Sequence, residues 1–71
     1  MLVKTQVVLY IFNELIEGRK IYMEEIVHEY EISIRTFRRY IGEINIYLSN
    51  FNKFKQIKYN NKENCYQLEK Y

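Results

Sequence analysis

Apolar residues recur at spacings of three and four along the first two thirds of the chain, then give way to strict alternation. Val8, Ile11, Phe12, Leu15 and Ile16 repeat in this way with Glu14 and Glu17 between them, which predicts a helix over residues 3–17. Gly18 follows directly and can take the left-handed conformation that stops a helix. Arg19-Lys20-Ile21-Tyr22 is too short for a helix and reads as an extended connection or a short strand. Met23 to Tyr30 reads as a second helix of about two turns. Ile26, Val27 and Tyr30 supply its inner face, and Glu24 and Glu25 lie in the first turn, where the helix dipole favours negative charge. His28 falls on its outward side.

Ser33 has the character of an N-cap, because its hydroxyl can accept a backbone N–H two or three residues on. A third helix is expected from there to about Leu48. Its apolar stripe is Ile34, Phe37, Ile41, Ile44 and Leu48. Residues 49–52 turn polar and read as irregular. Lys55 to Tyr59 alternates, with Ile57 and Tyr59 on one face, and Cys65 to Glu69 alternates again, with Tyr66 and Leu68 on one face. The polar run Asn60-Asn61-Lys62-Glu63-Asn64 joins them, so the two segments predict a β-hairpin.

Three helices, a tight turn between the second and third, and a closing hairpin predict a mainly α fold with a small β-hairpin, the layout of a winged helix-turn-helix. At 71 residues the chain is one domain at most. A domain of this size buries only roughly 60% of the surface its unfolded chain exposes, so it needs a dense core. The 48% hydrophobic and 17% aromatic content can supply one. No run approaches the roughly 20 apolar residues of a membrane span, and MLVKTQVV lacks the layout of a signal peptide. A soluble cytoplasmic protein is expected. Cys65 is alone, which rules out an intrachain disulfide, and it reads as a small strand residue.

Charge changes the picture. Residues 1–31 carry three basic against six acidic side chains, a net of −3, whereas residues 32–71 carry eight against three, a net of +5. A basic half on a small domain is the electrostatic footprint of a polyanion binder. The arginines concentrate in EISIRTFRRYI, where Arg35, Thr36, Arg38 and Arg39 are threaded between Ile34, Phe37 and Ile41. A recognition helix must bury one stripe and offer the opposite face to the DNA major groove, and this pattern serves both tasks. Arg35 and Thr36 sit in the turn expected nearest the bases. Arg38 and Arg39 are better placed for phosphates, and backbone N–H groups near Ser33 can hold one too. In the hairpin, Lys62 at the tip is expected to reach a minor groove or a phosphate, with Lys55 and Lys58 lining the approach. The competing reading is a solvated helix face paired with Glu31 and Glu43, but surface ion pairs of that kind contribute little.

The stretch Lys20-Ile21, Glu24-Glu25-Ile26, Tyr30, Ile32-Ser33 and Arg35-Thr36-Phe37-Arg38-Arg39 with Ile41 and Ile44 resembles the N-terminal winged helix-turn-helix of DeoR-type and WYL-type bacterial transcription regulators. The closing Tyr66-Gln67-Leu68 is similar to the end of that family's wing. The resemblance implies double-stranded DNA as the partner and transcription regulation as the function. Three positions depart from the pattern. Glu31 replaces the usual turn glycine, Tyr40 replaces an aspartate, and Val27 stands where a small alanine is common. These departures also admit a neighbouring family, the Mga and antiterminator-related regulators. Relatives usually carry an effector-binding domain after the wing, so the chain reads either as a free-standing regulator or as the N-terminal part of a larger one.

A second reading is a winged-helix protein-interaction module. Ile46, Tyr47, Phe51 and Phe54 offer apolar surface for a homodimer or another partner. An enzyme is not expected. There is no Asp, one His, one Cys and no glycine-rich loop, so no nucleophile–base pair, metal cluster or cofactor cradle can be assembled. RNA suits the geometry poorly, because its major groove is too deep and narrow to admit a helix.

Overall fold

The computed structural model describes residues 4–51 and 54–70. Helix α1 spans Lys4–Ile16, α2 spans Met23–Tyr30 and α3 spans Ile34–Phe51, followed by strands β1 (Lys55–Asn60) and β2 (Cys65–Lys70). This is a winged helix-turn-helix.

The stop signals act as their residue types dictate. Gly18 takes φ 86°, and the Gly18 and Arg19 N–H groups donate to the Leu15 and Glu14 carbonyls at 3.0 Å each. These two bonds satisfy carbonyls that the end of α1 would otherwise leave open. The extended connection after it forms a single bridge to the hairpin. The Ile21 N–H donates to the Tyr66 carbonyl at 2.9 Å, and the Tyr66 N–H donates back at 2.7 Å.

Strands β1 and β2 are antiparallel, with Ile57 opposite Leu68, Tyr59 opposite Tyr66 and Asn60 opposite Cys65. Because Tyr66 gives both its backbone groups to Ile21, the Tyr59–Tyr66 pair is a non-hydrogen-bonded one, the kind whose side chains sit closer together. Their rings lie 5.0 Å apart.

The core gathers Val7, Ile11 and Leu15 of α1, Ile21, Ile26 of α2, Phe37, Tyr40, Ile41, Ile44 and Leu48 of α3, and Ile57 and Cys65 of the hairpin. Phe37 lies at its centre with no exposed surface. It meets Tyr66 edge-on at 5.3 Å and so joins α3 to the wing. Burying a side chain of this size stabilises by about 1.5–3 kcal/mol.

Several positions differ from the sequence pattern. In α1 the buried row runs through Val7 rather than Ile16, which is 39% exposed on the opposite side of the helix. Ile34 begins the expected stripe of α3 but is 47% exposed, because it borders an open groove between α2 and α3 lined also by Met23 and Val27. Tyr40 is buried and widens the stripe. Lys4 sits over its ring at 6.0 Å and pairs with Glu43 at 3.1 Å. Helix α3 continues past Leu48 to Phe51, because Ser49 and Asn50 point to solvent and need no core contact. The Tyr47 and Phe51 rings, one turn apart and 5.1 Å from each other, support that last turn. Tyr59 shares the face of Ile57 but stays half exposed. Val3 and Asn52, expected in α1 and in the irregular segment, lie outside the described residues.

Candidate nucleic-acid interface

The turn between α2 and α3 is Glu31-Ile32-Ser33. Glu31 adopts φ 54° and ψ 44°, the left-handed conformation that its glycine counterpart would take freely. Its N–H donates to the Val27 carbonyl, and the Ile32 N–H donates to the same carbonyl at 3.2 Å. Ser33 then caps α3. Its Oγ accepts the Thr36 backbone N–H at 3.0 Å and its hydroxyl donates to Thr36 Oγ1 at 2.9 Å. Ile32 and Phe37 flank the cap and both pack into the core, the arrangement of a hydrophobic staple. Together these contacts fix where α3 begins and which way its first turn points.

The faces of α3 separate by residue type. Phe37, Tyr40, Ile41, Ile44 and Leu48 are buried, and Arg35, Arg38 and Arg39 are exposed. Arg35 stands three and four residues before Arg38 and Arg39, so the three form one surface stripe. Glu43 is taken by Lys4, and among the described residues no ion pair involves any of these arginines. Their charge is therefore not spent on the pairing with Glu31 and Glu43 that a purely structural role would require. Thr36 has a structural part beside the contact expected of it. It is half-buried and its hydroxyl oxygen accepts a hydrogen bond from Ser33, so it takes part in the cap. The N–H groups of Ile34 and Arg35 have no hydrogen-bond partner among the described residues.

The hairpin brings only part of its predicted set together. Alternation puts Lys58 on the outer face, opposite Gln67, and leaves Lys55 half-buried on the side of Ile57. The two lysines do not line one surface. Lys62 is exposed in the loop, where Asn60 Oδ1 accepts the Lys62 and Glu63 N–H groups at 2.9 and 3.2 Å. Tyr59 Oη–H donates to Asn64 Oδ1 at 3.1 Å, and Asn64 takes φ 55°. Glu63 pairs with Lys20 and raises that ammonium's pKa above its ordinary value through the hydrogen bond. With Glu63 occupied, Lys62 is the uncompensated charge of the loop.

Asn45 is the positioning residue that the pattern did not reveal. Its Oδ1 accepts the Ile57 N–H at 2.8 Å and ties α3 to β1. Nothing in the local sequence distinguishes it from an ordinary polar residue between Ile44 and Ile46. The groove beside Ile34 is also rimmed by Glu24, His28 and Glu31. Two carboxylates there disfavour a phosphate, so the cationic side of α3, and not this groove, suits a nucleic acid. Among the described residues no helix is long and apolar enough to cross a membrane.

A family model described as the Mga helix-turn-helix domain matches residues 1–67. The comparisons with curated proteins and with solved structures give no match. The match makes the chain a helix-turn-helix DNA-binding domain, of a kind that is typically non-enzymatic. It falls on the neighbouring family that the departures at Glu31, Tyr40 and Val27 admit, and not on the DeoR or WYL type.

Proposed function

The chain belongs to the Mga helix-turn-helix domain family, and from that premise we propose that it is a bacterial transcription regulator that reads double-stranded DNA by sequence. The first turns of α3 enter the major groove, and Arg35 pairs with a base edge, guanine being the geometric match for its planar fork. Arg38 and Arg39 hold phosphates, and the open N–H groups at the start of α3 add a further anion contact. Lys58 and Lys62 of the wing meet the backbone or a minor groove, with Lys55 behind them in a supporting place.

The observation that carries this reading is the stripe of three exposed arginines, without ion-pair partners among the described residues, on the helix whose other face is the core. An evolutionary selection from a random duplex library tests it. The expected result is enrichment of one short motif by the wild-type chain, and recovery of unrelated sequences would contradict sequence-specific readout.

A second reading has its own observation. Ile46, Tyr47, Phe51 and Phe54 are 63%, 49%, 74% and 70% exposed. Such a surface suits a homodimer, and dimers commonly read two half-sites. Light scattering of the purified chain separates a monomer from a dimer.

A further inference from the structure

Gly42 stands in the middle of α3 with no internal reason to be glycine. The helix runs unbroken from Ile34 to Phe51, and Gly42 does not have a positive φ. A Cβ built on it meets nothing within 4 Å, so no neighbouring element needs the space. Glycine is nevertheless the poorest helix former after proline, so the fold alone would be better served by almost any other residue.

Its place on the helix supplies a reason. Arg39 and Arg38 stand three and four residues before it and Arg35 seven before it, so all four share the outward side. Helical side chains lean towards the N-terminus, so the arginines reach away from Gly42; Ile46, four residues on, leans back towards it, yet no atom comes within 4 Å of a Cβ built there. A bare turn beside a cationic stripe is a notch in which another molecule can touch the helix main chain. The arginines on its N-terminal side favour an anionic body there, while Ile46, one turn on and exposed, can add only an apolar contact.

We propose that Gly42 is the point where a DNA sugar–phosphate backbone comes into van der Waals contact with α3, with Arg38 and Arg39 holding the adjacent phosphates. The inference rests on the DNA-binding reading above and adds to it a close-contact point set by shape.

The test compares Gly42→Ala, Gly42→Gln and Arg38→Ala. Each is titrated into a mixed-sequence duplex of roughly 20 base pairs at about 50 mM salt, and each is melted alone. Gly42→Ala should raise Tm by about 4–8 °C, and Gly42→Gln should melt no lower than wild type yet bind the duplex at least about tenfold more weakly. Opposite signs on stability and binding are the signature of a contact residue. If Arg38→Ala weakens binding and Gly42→Gln does not, the contact point is wrong while the DNA reading stands. If Gly42→Gln changes only the mass seen by light scattering, the notch faces a protein and the proposal is overturned. If wild type binds no duplex, both the proposal and the reading beneath it fall.

Discussion

Asn45 Oδ1 accepts the Ile57 backbone N–H at 2.8 Å and so fastens the middle of α3 to the open edge of β1. Among the described residues β1 pairs only with β2, and its Ile57 N–H points away from that partner. Without Asn45 this half-buried donor must turn to water. Asn45→Ala should cost about 1–2 kcal/mol in urea unfolding. It should also speed amide hydrogen exchange at Ile57 more than at Phe37. Unchanged exchange at Ile57 would mean that the bond does not hold the wing.

The cap of α3 is the second structural claim. Ser33→Ala removes the acceptor for the Thr36 N–H and also the donor to Thr36 Oγ1. It should destabilise by about 1 kcal/mol, while Ser33→Asp keeps the acceptor and should retain most of the stability. Equal Tm values for Ser33→Ala and wild type would contradict the cap.

Glu31 holds a left-handed conformation that costs a side-chain-bearing residue roughly 1–2 kcal/mol. Glycine avoids that cost but loses more chain entropy on folding. Glu31→Gly should therefore stabilise by about 0.5–1 kcal/mol by thermal denaturation. A loss of stability would show that the Glu31 side chain makes a contact worth more than the strain.

The arginine stripe and the wing loop should separate in kind. Arg35→Ala should flatten the difference between a selected duplex and a scrambled one, at a cost of about 1–3 kcal/mol on the selected sequence. Lys62→Ala should weaken both duplexes alike and lower the salt slope by about one. If Arg35→Ala weakens both equally, Arg35 is a phosphate contact and base readout lies elsewhere.

Much of the fold was legible because its signals are local. The two acidic residues and the apolar set of α2 give its limits, Met23–Tyr30, and the alternation of Lys55–Tyr59 and Cys65–Glu69 gives the hairpin to within one residue. Ser33 is a cap in sequence and in structure. The misreadings concern burial settled at a distance. Ile34 is apolar, but the groove beside α2 leaves it half exposed, and Tyr40, left out of the expected stripe, is buried. The end of α3 was hidden by Ser49 and Asn50, whose polarity reads as a loop when it only marks the solvent side. Of the candidate site, the arginines were legible as a periodic stripe. The engagement of Thr36 by Ser33, the separation of Lys55 from Lys58 and the tether from Asn45 were not, because each depends on where a partner side chain or strand lies in space.

The central claim is that the basic side of this domain binds the DNA backbone, and its most direct test is fluorescence anisotropy of the purified chain. A mixed-sequence duplex of roughly 20 base pairs would be titrated at about 50 and 200 mM salt. Binding that weakens at least about tenfold between the two conditions is expected, because several neutralised phosphates release their counterions. Failure to bind at the lower salt, or binding indifferent to salt, would contradict it.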